Sequence, residues 1–188
     1  MAVSNTEATV ESTVDRVNSD LLDIRQIFDA ANYNIVQEFD ISSEKFAEQF
    51  SLLYEVNSDK IESLALYGNE GRLIASEPVA VEKENIDVKG QDWYKNAESA
   101  IENVHFSIPH IQNLYEDGLY RYHWVVSLSR YVDINDGEIP GSGVLLVDMK
   151  YSVIEDVLKQ INDSSEGIYY YMILSLIHIS EPTRQAEI

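Results

Sequence analysis

Residues 120–132 read Tyr-Arg-Tyr-His-Trp-Val-Val-Ser-Leu-Ser-Arg-Tyr-Val, and residues 141–150 read Gly-Ser-Gly-Val-Leu-Leu-Val-Asp-Met-Lys. Both runs are rich in β-branched and aromatic side chains. The stretch from Asp133 to Gly143 is full of turn formers, so the pattern reads strand, polar turn, strand. Each run carries a charge that a sheet interior would not want: Arg130 in the first and Asp148 in the second. An ion is costly to bury without a partner. The two residues therefore stand at a rim or line a pocket, and the pocket is the expectation. Tyr120, Tyr122 and Trp124 share one strand face by the two-residue period. Aromatic walls with a few charges make a polar small-molecule site, in which an arginine holds a carboxylate and an aspartate an ammonium.

Upstream, Val10, Val14, Val17, Leu21, Ile24, Phe28, Ala31 and Ile35 recur in alternating steps of four and three. That is the 3.5-residue repeat of a coiled-coil seam, and it predicts a helix from about Val10 to Phe39. Its stripe packs on its own domain or pairs with a second copy. Ser42 and Ser43 offer caps for a second helix from Glu44 to about Tyr54. A hairpin follows, with strands Ile61 to Tyr67 and Arg72 to Ser76 around Gly68-Asn69-Glu70-Gly71. Residues 78–89 form an acidic, irregular connection, and Trp93 and Tyr94 open a short helix to about Glu102. Phe106 to Ile111 is a strand with Pro109 inside it, hence an edge or a bulged strand. Tyr151 to Ile161 is a helix, and Ile168 to Ile173 begins a fresh strand. The order is α+β, with a five-stranded antiparallel sheet, rather than alternating βαβ.

Bulk properties exclude several classes. Of 188 residues, 33 are acidic and 13 basic, for a net charge of -20, which disfavours binding to nucleic acid or anionic lipid through a basic surface. With no cysteine there are no disulfides and no thiolate metal sites. No apolar run has the length of a transmembrane helix, so the chain as written is expected to be soluble. Catalytic signatures are poor: there is no phosphate loop, no metalloprotease histidine pair and no nucleophile elbow. A hydrolase using His110 or His123 as a base is the enzyme alternative, and it lacks a credible nucleophile or metal set. A three-histidine site from His105, His110 and His123 is conceivable, with isolated histidines the commoner case. No cofactor is expected.

Trp93-Tyr94 followed by Ala97, then Phe-Ser-Ile-Pro-His-Ile, Val-Val-Ser-Leu-Ser-Arg, Gly-Val-Leu-Leu-Val-Asp-Met and a helix, is similar to the Cache family of extracytoplasmic sensor domains. The resemblance covers about Val10 to Ile173 and rests on the order and spacing of degenerate motifs. It looks most like the sensor halves of bacterial histidine kinases. It implies a PAS-like sheet with flanking helices after a long first helix. Residues 10–56 would then be a helical stalk, 57–163 a membrane-distal module and 164–173 the start of a second module. Residues 1–9 are expected to be disordered. Leu174 to Arg184 resemble the conceptual translation of a transposase-type sequencing adapter, so residues 174–188 are expected to be foreign to the natural gene.

The resemblance implies a non-enzymatic sensor of a membrane-bound receptor, a histidine kinase or alternatively a methyl-accepting chemotaxis receptor. It implies a homodimer through the N-terminal helix, with membrane attachment only through segments outside this sequence. Its ligand residues carry over unevenly. Trp93, Tyr94 and the late Asp148 match. Asp87 or Lys89 stands at the position of the amino-acid-binding members' tyrosine, and Gln91 at that of their arginine. His110 replaces the aromatic of a Pro-aromatic-x-Asp motif, and Gln112 its aspartate. The expected ligand set is Trp93, Tyr94, His110, Tyr122, Arg130 and Asp148. The departures point away from a free amino acid bound in the usual way and leave a different small polar molecule, a sugar, a peptide or no small ligand open. The face of Tyr122 depends on strand register; a slip of one residue turns it outward and brings His123 in.

Overall fold

A computed structural model describes residues 22–101, 103–116, 122–136 and 139–153, together with Ser12, Asp15, Ser19, Asp20 and Glu155. The chain divides into two units, and Leu21–Val153 is the one that holds every element described below. The other, residues 1–20 and 154–188, is described at five isolated positions only. The expectations for residues 1–11, for most of the helix from Tyr151 and for the strand and tail beyond it lie outside the described residues.

A helix over residues 22–31 (α1) runs into a π-turn at Asn32–Val36. Ile24, Phe28, Ala31 and Val36 are fully buried. From Ile24 onward, then, the apolar stripe is spent on the chain's own core, the first of the two alternatives. The four-and-three spacing is common to a coiled coil and to a helix lying on a sheet, and it does not separate them. Helix α2, Glu44–Val56, starts where Ser43 Oγ accepts from Phe46 N at 3.1 Å. It buries Phe46 and Phe50, whose rings stack at 5.3 Å.

The strands are β1 (Ile61–Gly68), β2 (Leu73–Glu77), β3 (His105–Phe106), β4 (His110–Ile111), β5 (Trp124–Asp136) and β6 (Ile139–Lys150), with helix α3 (Asp92–Ser99) between β2 and β3. They form one antiparallel sheet in the order β2-β1-β6-β5-β3, with β4 also on β5. Gly71, at φ 77°, takes the left-handed position in the β1–β2 turn. The expected single strand from Phe106 to Ile111 is two short pieces. His105 pairs with Ser129 but His110 with Val125, so the register slips by one across Pro109, the bulge that proline imposes on an edge. The expected polar turn from Asp133 to Gly143 is instead ladder: Asp133 pairs with Ser142 and Asp136 with Ile139. This ribbon tip reaches past the rest of the sheet, so polar residues suffice to form it.

Both sheet faces are covered in the middle, which is why the central strands read as nearly continuous apolar runs. On one face Leu64, Leu66, Val126, Leu128, Leu145, Val147 and Met149 are buried, and the π-turn after α1 reaches this side, where Arg130 Nη1 donates to Tyr33 Oη. On the other, Ala65, Tyr67, Val144 and Leu146 pack with Trp93, Tyr94 and Ala97 of α3 and with Leu114. Each such large side chain contributes roughly 1.5–3 kcal/mol by leaving water. The α3 face is further pinned by Tyr94 Oη, which donates to Gly68 O at 2.9 Å, and by Ser129 Oγ, which donates to Trp93 O at 2.8 Å.

At Gly143 the strands β1 and β6 approach so closely that a Cβ would collide with the carbonyl oxygen of Tyr67. Gly143→Ala is expected to cost about 2–3 kcal/mol, since an overfilled site must shift backbone. Urea denaturation checks it; an unchanged midpoint would show that β1 can move aside freely.

Candidate ligand-binding cleft

The strand register decides which charges meet. Asp148 pairs with Ser127 on β5 and with Ser63 on β1, so the three side chains stand in a row on the α3 face. Ser63 Oγ donates to Asp148 Oδ2 at 2.9 Å and Ser127 Oγ donates to Oδ1 at 2.5 Å. Asp148 is 1% exposed. Burial pushes its carboxyl above the usual value, and the two serine hydroxyls and the nearby His110 pull the other way. His110 Nε2 lies 3.4 Å from Ser127 Oγ, while its Nδ1 lies 3.0 Å from Ile108 O and 3.2 Å from Ser107 Oγ.

The sign of the resulting pH dependence follows from linkage. The folded chain holds the Asp148 proton more tightly than the unfolded chain does. The associated stability is fully present below the ordinary value of 3.8 and is lost as pH rises through the elevated folded value. Asparagine does not titrate. The stability of Asp148→Asn relative to the native chain is therefore expected to rise with pH above about 4. Thermal midpoints of both proteins from pH 4 to 8 check this, and a difference that falls with pH would contradict it.

Asp148 is roofed by two connections that zip together. Lys83 N donates to Leu114 O and Glu116 N to Val81 O, both at 2.9 Å, around a bridge between Glu82 and Tyr115. Below the bridge the hydroxyls of Tyr67 and Tyr115 share a hydrogen bond of 3.2 Å. Burial drives both hydroxyls far above the usual tyrosine range, so they stay protonated. The zipped segments and the sheet border an open cleft of about 500 Å3. Its floor is Ser63, one wall is residues 78–81 and the other is Gln112, Tyr115 and Glu116. At the rim His123 Nδ1 meets Glu62 Oε1 at 2.7 Å. Strand β1 is irregular between Ile61 and Ser63, and a bulge re-aims a side chain, which accounts for Glu62 standing on the same side as Ser63.

Of the six expected ligand residues, the structure brings Asp148 and His110 together, linked through Ser127. Trp93 and Tyr94 are on the same face but inside the apolar core beneath α3; Trp93 lies 5.3 Å from the Tyr67 ring, and Tyr67 in turn reaches Tyr115. The other two do not converge. Tyr122 is 79% exposed, and His123 takes the inward place. Arg130 pairs with Leu145 and lies on the opposite face, where Nη1 donates to Tyr33 Oη at 3.2 Å. It stands an odd number of residues from Ser127, so the two-residue period turns it away from Asp148. The sequence pattern does not point to Glu62, Ser63, Tyr115, Glu116 or the wall at residues 78–81, and it points to Gln112 only as the residue at the motif's aspartate position. The alternation through Ser63, Ala65 and Tyr67 was the one available signal.

The Ser127, His110 and Asp148 set is not arranged for nucleophilic catalysis. Ser127 commits its proton to the carboxylate rather than to the imidazole, and it is 2% exposed, out of reach of a substrate.

No protein-family model and no curated protein matches the sequence. Solved structures do match. The ligand-binding domain of the Pseudomonas aeruginosa chemoreceptor PctC, in complex with GABA, aligns with a TM-score of 0.58 at 20% identity over 79% of this chain and 61% of that one. That of the Pseudomonas fluorescens chemoreceptor CtaA with L-serine gives 0.55 at 19% identity, over 79% and 59%. That of the P. aeruginosa chemoreceptor PctB with L-Arg gives 0.56 at 19% identity, over 87% and 58%. The chain spans about three fifths of the length of these structures. Its fold is that of the Cache, PAS-like sensory domains: α+β, with one antiparallel sheet between flanking helices.

Proposed function

We propose that the chain is the ligand-sensing part of a membrane-bound receptor, facing the extracytoplasmic side, non-enzymatic in itself, and that its ligand is a small polar molecule. The observation that carries this is the cleft: about 500 Å3, inside the range of small-molecule sites, roofed by two loops over a sheet, with a buried carboxylate behind Ser63. The site comprises Asp148 and His110, with Trp93 and Tyr94 stiffening the wall through Tyr67. Ligand binding draws residues 78–83 and 112–116 onto the sheet. Because the π-turn that continues α1 meets the back of the same sheet at Arg130, closure that favours one placement of α1 over another passes the signal on.

A homodimer through the N-terminal helix remains part of the proposal. Pairing then uses residues before Ile24 together with exposed positions such as Leu22, because the later stripe is buried. The output is a protein histidine kinase on the reading of motif order and spacing. A methyl-accepting chemotaxis receptor is the second reading, favoured by the solved structures named above, all of them from chemoreceptors. The gene's own flanking sequence separates the two: a kinase core downstream supports the first, a long methyl-accepting helical hairpin the second.

The sensing reading is tested by a thermal-shift screen of small polar compounds. A saturable rise in midpoint is expected, and Asp148→Ala is expected to abolish it while circular dichroism shows the fold retained. A hit whose shift survives that substitution would place the ligand elsewhere.

A further inference from the structure

We propose that His110, Ser127 and Asp148 hold one exchangeable proton between them, and that this proton latches β4, and the roof segment that follows it, to the sheet. His110 Nδ1 lies 3.0 Å from Ile108 O, and a carbonyl only accepts, so Nδ1 carries a hydrogen. Nε2 is then the nitrogen that takes up or gives off a proton, and it faces Ser127 Oγ at 3.4 Å. Ser127 has one hydroxyl proton, and it goes to Asp148 Oδ1 at 2.5 Å. A proton on Nε2 completes the chain from imidazolium to hydroxyl to carboxylate. With that proton on Asp148 instead, the chain is equally complete in the other direction, from carboxylic acid to hydroxyl to neutral imidazole. The proton thus belongs to the set rather than to one residue. Without it, Nε2 and Ser127 Oγ meet as two acceptors and their contact fails. Asp148 and Ser127 are closed to water and His110 is half-buried, so the proton enters and leaves through the imidazole.

The surrounding charges leave His110 as the partner of Asp148. Burial and, on β1, Glu62 disfavour the Asp148 anion; the two serine hydroxyls favour it, and among the charged groups His110 does. Glu62 is itself met by His123 Nδ1 at 2.7 Å. Lys150 shares the Asp148 face of β6 and donates to Ser58 O at 2.6 Å. On β3, His105 Nε2 lies 3.2 Å from Ala100 O. Tyr67 and Tyr115 stay protonated because they are buried; Glu82 of the roof acts on both hydroxyls, and Lys83 and Glu116 are exposed. The lever is the shortness of β4. Its backbone hold on β5 is the pairing of His110 with Val125 and Ile111 with Trp124, then Gln112 N donating to His123 O at 2.9 Å. Residues 114–116, which zip against 81–83, follow directly. On so short a ladder one side-chain bond decides how firmly the segment sits. The set binds its proton more tightly with β4 seated than with β4 free. The seated state is therefore favoured below the titration of the free state and is lost as pH rises through that of the seated state. This step stands on register and hydrogen-bond geometry, and a ligand screen without hits leaves it intact.

Amide hydrogen exchange of the unliganded chain from pH 5 to 8, each rate divided by its intrinsic value at that pH, tests the latch. Protection of residues 110–116 is expected to fall about tenfold over that range, with α2 unchanged within about twofold. His110→Gln keeps a donor for Ser127 without a titrating nitrogen. In Asp148→Asn the amide donates to Ser127, whose proton is then free for Nε2. Both variants are expected to hold the segment at its low-pH protection throughout. Ser127→Ala cuts the chain and is expected to leave the segment loose at every pH. Circular dichroism checks that each variant folds. The imidazole 15N shifts of the native chain need no variant: they should show Nδ1 protonated at pH 8 and Nε2 gaining its proton as pH falls. An imidazole with its proton on Nε2 at pH 8 overturns the inference, because His110 would then donate to Ser127 with no added proton. Flat protection in the native chain overturns it too, as does a pH dependence that persists in His110→Gln and Asp148→Asn.

Discussion

Ile24→Asp is expected to destabilise the domain by about 3–5 kcal/mol, the cost of an uncompensated charge in a dry site. Ile24 is fully buried, and the same stripe continues through Phe28 and Ala31, both equally closed. With no solvent access at this position, the aspartate must be neutralised or the helix must leave its packing. Urea denaturation followed by circular dichroism should show the loss as a shift of midpoint at constant slope. Sedimentation distinguishes this from a seam between copies. If Ile24 faced a second chain, the variant would become monomeric with its sheet intact. The expectation is the reverse: partial unfolding whatever the state of association.

Trp93→Ala should be comparably severe, about 3–5 kcal/mol. The indole is 6% exposed and packs 5.3 Å from Tyr67 and 5.6 Å from Tyr94 by ring centroids. Its removal opens a void between α3 and the sheet that the paired β1 and β6 cannot close. The damage should also reach the cleft, since Tyr67 loses its neighbour and Tyr67 holds Tyr115. Trp93→Phe keeps part of the volume and should cost less than half as much. A Trp93→Ala protein of native stability would mean that the indole is exposed to the cleft rather than buried as a wall.

What could be read from the sequence was whatever repeats with a fixed period. The stripe of α1, the β5–β6 pair, the β1–β2 hairpin and the irregularity at Pro109 all follow from local pattern or backbone chemistry. Asp148 stood out because an acid inside an apolar run has few harmless places to go. The same logic misplaced Arg130. Two charges at the ends of neighbouring runs look adjacent on paper, but the antiparallel register sets Asp148 against Ser127 and Arg130 against Leu145. Without an anchor for that register the parity of each residue is undetermined, which also governs Tyr122 and His123. Glu62 was hidden for another reason: the irregularity beside it breaks the alternation by which faces are counted. The roof at residues 78–83 and 112–116 has no period, and its pairing is set by contacts far apart in the chain.

The central claim is that a ligand sits between that roof and Ser63. Amide hydrogen exchange, with and without a saturating hit from the thermal-shift screen, tests it most directly. The account predicts slower exchange in residues 78–83, 112–116 and 61–63, with α2 and the tip of the β5–β6 ribbon unchanged. Protection centred on Tyr33 and Arg130 instead, or none in the roof, would contradict it.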